Sequence, residues 1–106
     1  MITGKIKIDK KTKNLVKKIK PGEIAILDHQ DLDQIAGQSL QERKVKAVIN
    51  TNKSISGKYP NKGPMILLKS GIPIIDECSP EIFNLLENND VISIKNGDIY
   101  KNGSKI

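Results

Sequence analysis

Alternation of apolar and polar residues marks the first segment of the chain, residues 2–8 (ITGKIKI), as a β-strand. Ile6 and Ile8 fall on one face of this strand, and Lys5 and Lys7 fall on the other. Lysines on an exposed strand discourage pairing with another chain. We therefore expect an edge strand.

A short helix is predicted after this strand. Three apolar residues recur at helical spacing and lysines occupy the opposite side; the apolar stripe is Leu15, Val16 and Ile19, and the lysines are Lys10, Lys13, Lys17 and Lys20. The pair Pro21-Gly22 predicts the end of the helix.

Three apolar runs of strand length predict a parallel core sheet. They cover residues 23–28 (EIAILD), 45–50 (VKAVIN) and 72–75 (IPII). A helical pattern separates the first two runs and leaves no room for a hairpin turn, so we expect their strands to run parallel. The third run follows another helical pattern and predicts a third parallel strand.

Two helices are predicted between these strands. The first has Asp31 as its N-cap, and its small or apolar face is formed by Leu32, Ile35, Ala36, Ser39 and Leu40. Gly37 weakens this helix by about 1 kcal/mol relative to Ala unless close packing requires a glycine. The second helix begins at Pro64 and ends at Gly71, and its run MILL leads us to expect burial on all sides.

The C-terminal part of the chain predicts a helix and a hairpin. Ser79-Pro80-Glu81 is a typical helix start, and Asn96-Gly97 between two apolar runs is a strong hairpin signal. The fold class that we predict is therefore α/β: a small β/β/α domain with a short parallel core sheet and antiparallel strands at the chain ends. Residues 1–106 would form one domain, with a basic strand and helix in 1–20 and an α/β core in 21–106.

Composition narrows the class of protein. The chain has 106 residues, of which 37% are apolar, and contains one cysteine and one histidine. Its length suits one domain with a modest core, and so few Cys and His residues exclude a disulfide framework and a Cys-rich zinc site. No apolar run has the length of a membrane span. With Cys78 suggesting a reducing compartment, and without a signal peptide, we expect a cytoplasmic protein.

The net charge of +6 is confined to the start of the sequence. Residues 1–20 contain eight lysines and one aspartate, a balance of +7, whereas residues 21–106 contain ten basic and eleven acidic groups, a balance of −1. A basic N-terminus is one way to bind nucleic acid, but one Arg, two Tyr and one Phe are few for base recognition or stacking. A solvated lysine face explains the charge equally well, so nucleic acid is kept only as an alternative partner.

Polar residues occur where the predicted parallel strands end. Ligands of parallel sheets bind at this edge, and the polar loop of residues 51–63 begins there and leads into a helix N-terminus, which suits an anion. We predict a site for a partner domain or a small anionic ligand, formed by Asp28, Asn50, Ser54, Ser56, Gly57, Lys58, Tyr59, Asn61 and Asp76. The alternative is that Asp28 and Asp76 only cap turns.

Signatures of catalysis are weak. The loop does not match GxxxxGK[ST], and GxGxxG does not occur. His29 beside Asp28 is a candidate general base, although a surface turn residue is the better interpretation. Cys78 precedes a predicted helix start, which favours a lowered thiol pKa. We expect no catalytic residue, metal or cofactor in this chain.

The sequence resembles the N-terminal region of SteA-like bacterial proteins, a family similar to thiamin pyrophosphokinase. The stretches that carry the resemblance are IDKKTKNL (8–15), PGEIAILDHQDLD (21–33), KAVIN (46–50), SISGKYPNKGP (54–64) and GIPIID (71–76). The family has Arg where Lys58 stands and Leu where Lys62 stands, and Lys58 keeps the charge without the bidentate geometry of Arg.

This resemblance implies a non-catalytic N-terminal module with a role in cell division or the envelope. In the family this region is followed by a kinase-like domain and hydrophobic segments, so the expected partners are downstream domains of its own chain, with membrane association of the longer protein. The alternative is a part of a thiamin pyrophosphokinase-like enzyme whose catalytic domain is not in this sequence. Exposed strand edges also suggest a homo-oligomer.

The order of elements is similar to that of the phosphohistidine swivelling domain of phosphoenolpyruvate-utilising enzymes. The histidine that is phosphorylated in those enzymes would fall at Lys62. The resemblance therefore implies a shared fold without the phosphocarrier chemistry.

Overall fold

The computed structural model describes residues 1–57 and 61–106, which form four helices and a seven-stranded mixed sheet. The strands are β1 (Ile2–Ile8), β2 (Ile24–Leu27), β3 (Ala47–Asn50), β4 (Ile74–Ile75), β5 (Val91–Lys95), β6 (Asp98–Lys101) and β7 (Ser104–Lys105). The helices are α1 (Thr12–Lys18), α2 (Gln34–Glu42), α3 (Gly63–Lys69) and α4 (Ile82–Leu85). The strands follow the order β4-β3-β2-β1-β5-β6-β7, in which β1 to β4 pair in parallel and the other pairs are antiparallel. The predicted α/β fold class, with its parallel core, is confirmed.

The N-terminal strand β1 lies in the middle of the sheet, so the expectation of an edge strand is wrong. Ile6 pairs with Ile24 in the parallel direction, and Ile2 pairs with Ile94 in the antiparallel direction. Alternation of side chains indicates that one face of a strand is less buried than the other, but it does not show whether a second strand pairs on each side. In the described parts of the chain, the two ends of the sheet are the short strands β4 and β7.

Lys7 also differs from the prediction for this strand. Its side chain is buried, whereas we expected it on the exposed face. Its ammonium group contacts the Glu23 carboxylate at 3.0 Å and the Asn89 amide oxygen at 2.5 Å. Burial by itself raises the pKa of Glu23, but hydrogen bonding from the Lys20 backbone N–H, together with the Lys7 ammonium, outweighs burial and lowers the pKa. The ion pair thus connects β1 to the start of β2.

Two apolar cores lie on opposite faces of the sheet. The helix-side core contains side chains of α1, α2, α3, β2 and β3, chiefly Leu15, Ile19, Leu27, Leu32, Leu40, Val48 and Leu67. The second core contains side chains of β1 to β3, β5, β6 and α4, chiefly Ile6, Ile24, Ile26, Ile49, Ile82, Ile92, Ile94 and Ile99. Three strands separate β4 from β5 in the sheet, yet Pro73 and Ile94 line one cleft. The sheet is therefore curled around the second core.

The N-terminus of α2 differs from its prediction. Asp33 is the N-cap, and its carboxylate accepts a hydrogen bond from the Ala36 N–H at 2.8 Å, whereas Asp31 lies before the helix with φ of 54°. Ile35, expected on the packed face of this helix, is 76% exposed. The DHQDLD segment contains three aspartates, and propensity alone does not identify the one that caps the helix.

The helix α3 is buried on one face only. Leu67 is buried, but Met65 and Leu68 are each 59% exposed. The expectation of burial on all sides is wrong because α3 packs on α2 and the sheet as a single outer layer. An apolar run of four residues does not distinguish these two situations.

Two Asn-Gly pairs form the turns of the C-terminal strands. Asn96 and Gly97 have φ of 53° and 81°, as a type I′ turn requires, so the predicted hairpin is confirmed. Asn102 and Gly103 have φ of 53° and 79° and form a second turn with the same chemistry. This second turn adds β7, which was not predicted.

Candidate functional site at the carboxyl edge

The parallel strands β2, β3 and β4 end at one edge of the sheet, which we call the carboxyl edge. Asp28, Asn50 and Asp76 lie there, at or directly after the strand ends. The 51–63 loop starts at this edge, where the Thr51 N–H donates to the Leu27 carbonyl oxygen at 3.0 Å. The predicted position of the loop is thus confirmed for its described residues. Lys58 and Tyr59, two residues of the predicted site, lie outside the described residues.

The Asn50 side chain joins three segments of the edge. Its oxygen accepts hydrogen bonds from the N–H groups of His29 and Asn52, both at 3.0 Å. Its amide nitrogen donates to the His29 carbonyl oxygen and to the Ser54 hydroxyl, both at 2.9 Å. Asn50 is fully buried, and these bonds account for its polar atoms.

Ser54 and Asp76 form a clasp between the loop and the end of β4. The Ser54 hydroxyl donates to the Asp76 carboxylate at 2.7 Å, and the Ser54 N–H contacts its two oxygens at 3.0 and 3.1 Å. Ser54 is buried. This clasp fixes the first part of the loop, because hydrogen bonds to a carboxylate are among the stronger ones in proteins.

A second clasp joins Ser56 to Asp31. The N–H and the hydroxyl of Ser56 donate to the two carboxylate oxygens of Asp31, each at 2.7 Å. These two hydrogen bonds occupy the Asp31 carboxylate, so that Asp33 caps α2 instead. The role of Asp31 was not predicted, although the two serines of SISG are the two residues that form the clasps.

The end of the loop is also attached to the segment before α2. The Asn61 amide donates to the Ser54 carbonyl oxygen, and the Gly63 N–H donates to the Leu32 carbonyl oxygen at 3.1 Å. The N–H of Gly63, the first residue of α3, is therefore not free for an anion. This geometry removes part of the reason for predicting an anion at that helix terminus.

His29 is half-buried and lies two residues after the end of β2. Its Nδ1 atom lies 2.8 Å from the Thr12 hydroxyl, and its backbone is bonded to Asn50. The side chain therefore connects α1 to the carboxyl edge. A hydrogen-bonded connecting position accounts for His29 without a catalytic role.

Charge and exposure describe the surface of this edge. Lys53 and Lys62 are the basic residues of the loop's described part, against five carboxylates at the edge: Asp28, Asp31, Asp33, Asp76 and Glu77. Gly57 is exposed with φ of 87°, and Ile55 is 58% exposed between the two clasps. The carboxylates oppose the binding of a small anion, whereas exposed apolar and polar groups side by side suit a protein surface.

Cys78 does not have the predicted low thiol pKa. Burial raises the pKa of Cys78, and the negative charge of Asp76 raises it further. The prediction was wrong because α4 begins at Ile82, so that the thiol is not next to a helix N-terminus. Among the described residues, no group of three or more His, Cys, Asp and Glu side chains is arranged to hold a metal ion.

Comparison of the sequence with protein-family models gives no match. Comparison with curated proteins gives no match either. The resemblance to SteA-like proteins therefore stays a prediction, and the fold defines a mixed α/β domain. None of the helices in residues 1–57 and 61–106 has the length and apolar composition to span a lipid bilayer.

Proposed function

We propose that this chain is a non-catalytic binding module of a larger protein, and that its carboxyl edge docks on a partner domain through the 51–63 loop. The Ser54–Asp76 clasp carries the proposal, because it holds the start of the loop, directly before the exposed Ile55, in one position. A segment that is already held in place, as residues 54–56 are, loses little conformational entropy on binding.

The Asp31–Ser56 clasp supports the same proposal. It holds the residue after Ile55, so this exposed apolar side chain stands between two fixed points. A preorganised apolar anchor with polar neighbours is typical of the centre of a protein interface.

The carboxylates of the edge and the lack of free hydrogen-bond donors among its serines and Asn50 favour a partner domain over a small anionic ligand. The serine hydroxyls and the Asn50 amide, which would be the donors to an anion, already donate within the edge. The partner that the SteA-like resemblance suggests is a downstream domain of the same chain.

Site-specific photo-crosslinking tests this function. The photoreactive residue p-benzoylphenylalanine replaces Ile55 in the full-length protein, expressed in its native host. The matched control replaces Leu85, which is 52% exposed on α4. We expect a discrete product from position 55, identified by mass spectrometry as one folded domain, and no such product from position 85.

A second variant relates this product to the clasp. Asp76→Ala removes the acceptor of Ser54 and should lower the yield at position 55, whereas Glu77→Gln, at an exposed neighbour, should not. Equal products from positions 55 and 85, or none from position 55, would contradict the proposal. Chemical-shift changes confined to residues 52–57 on adding inorganic phosphate would instead favour the small anionic ligand.

A further inference from the structure

One face of the antiparallel half of the sheet is covered by neither core. Ile92 and Ile94 of β5 enter the second core, so the alternating residues Val91, Ser93 and Lys95 point to the other face. The helix-side core contains no residue of β5, β6 or β7 among those described. We call this open surface, with Thr3, Lys5, Val91, Ser93, Lys95 and Tyr100, the outer face.

Tyr100 lies in a row of polar side chains across this face. Thr3 pairs with Ser93, and Ser93 pairs with Tyr100. The hydroxyls of Thr3 and Ser93 are 3.1 Å apart. Tyr100, Ser93 and Lys95 line an open cleft of about 470 Å³, so the aromatic ring borders a solvent-accessible space.

Lysines surround this row. Lys5 and Lys95 are exposed on the outer face, and the Lys46 ammonium donates to the Thr3 carbonyl oxygen at 2.5 Å. Asp98 lies on the same face opposite Lys95, and its carboxylate is paired with Lys105 at 3.4 Å. Lys46 and Lys95, which lie outside the basic segment 1–20, therefore add positive charge to the outer face.

We propose that the outer face binds single-stranded nucleic acid, with Tyr100 stacking on a base and Lys5, Lys46 and Lys95 contacting phosphates. An aromatic residue on an open sheet face, with lysines around it, is the arrangement by which sheets bind single strands without sequence preference. The sequence contains few aromatic residues, which argued against nucleic-acid binding. The position of Tyr100 on the open face outweighs that argument, because a single ring there is able to stack on a base. The ring favours a planar base over the carboxylates of an acidic peptide, which gain nothing from stacking.

Fluorescence anisotropy with a labelled oligothymidylate tests the proposal on the intact chain. We expect binding at low salt, with the logarithm of the association constant falling against that of salt with a slope of about −2, since each phosphate contact on a single strand contributes about −0.7. Tyr100→Ala should weaken binding about tenfold, and Tyr100→Phe should keep it. Lys5→Gln and Lys95→Gln should each reduce the slope by about 0.7.

The control separates this face from the basic helix α1. Lys13→Gln/Lys17→Gln removes two exposed charges from α1 and should leave affinity within about twofold of wild type. Loss of binding in this control with no loss in Lys5→Gln and Lys95→Gln would overturn the proposal, as would no anisotropy change at low salt. Competition by heptaglutamate as effective as that by unlabelled oligothymidylate would also overturn it. If Tyr100→Ala fails to fold, chemical-shift changes at the Ser93 and Tyr100 amides of the labelled wild-type chain decide the question, and their absence contradicts the proposal.

Discussion

Gly37 and Gly63 contact each other where α2 packs on α3, with so little space that a Cβ added to Gly37 would lie 2.6 Å from the Gly63 Cα atom. A Cβ on Gly63 would in turn collide with the Leu32 carbonyl oxygen. The two backbones therefore meet without side chains between them. This contact places the end of the 51–63 loop against the segment that carries Asp31.

Gly37→Ala is expected to destabilise the protein, against the usual gain of about 1 kcal/mol for this change inside a helix. The new methyl group would meet backbone atoms, which cannot move aside as a flexible side chain can, and overpacking of this kind costs about 1–3 kcal/mol. Urea denaturation measures the free energy of unfolding. Gln38→Ala, at an exposed position of the same helix, is the control and should differ little from wild type. A gain in stability for Gly37→Ala would show that α2 and α3 are not in close contact.

Local sequence signals predict the individual helices and strands of this fold, but they do not predict which elements lie next to one another in space. Asn96-Gly97 predicted its hairpin because both residues accept positive φ at low cost. The strand containing Lys7 was predicted, but it was wrongly placed at an edge because its second neighbour, the strand containing Ile94, is distant in sequence. Glu23 covers the Lys7 side chain only once the sheet has formed. Ile35 and Met65 show the same limit, since periodicity does not reveal which apolar side chains remain uncovered.

The sequence predicts where the candidate site lies, but it does not predict which hydrogen bonds form within it. Asn50 and Asp76 follow parallel strands, and that topology brings them to one edge. The Asp31–Ser56 clasp depends on a positive φ at Asp31, and a single sequence contains no signal that separates this conformation from an N-cap.

Asp76→Ala is expected to lower stability by about 1–3 kcal/mol, because the buried Ser54 hydroxyl and its N–H lose their acceptor. Hydrogen exchange of the Ser54 amide should accelerate by more than that of amides in α1. Asp76→Asn keeps one acceptor oxygen and should fall between Ala and wild type. Unchanged exchange at Ser54 in Asp76→Ala would mean that the clasp does not hold the loop in solution.

Lys7→Met should cost about 3 kcal/mol, since it leaves the buried Glu23 carboxylate without its cation. The control is Lys18→Met, whose ammonium contacts Asp9 at 3.5 Å and the Ile8 carbonyl oxygen at 3.0 Å. This side chain is about one-third exposed and water screens its charge, so the loss should stay below about 1 kcal/mol. Thermal or urea unfolding of the two variants gives the comparison. Similar losses in both would place Lys7 in a solvated environment, contrary to the structure.

The same ion pair makes stability depend on pH in the acid range. Burial opposes ionisation of Glu23, but the Lys20 N–H and the Lys7 ammonium outweigh it, so the pKa of Glu23 in the folded state lies below its ordinary value of 4.5. Between these two values the unfolded state binds more protons than the folded state, so stability rises with pH. The contribution of Glu23 is therefore complete above pH 4.5 and is lost as pH falls through the pKa of the folded state.

Glu23→Gln should accordingly be less stable than wild type near neutral pH and should lose less stability on acidification below pH 4.5. Asp90 contributes in the same direction, since the Glu87 N–H and the Lys101 ammonium lower its pKa despite some opposing desolvation. The double variant Glu23→Gln/Asp90→Asn should consequently show a still weaker dependence on pH than the single variant. Urea midpoints measured from neutral pH down to pH 3 provide the test, at a salt concentration of about 0.1 M to reduce long-range repulsion. A Glu23→Gln variant with the full acid sensitivity of wild type would show that the carboxylate is not stabilised by Lys7 in the folded protein.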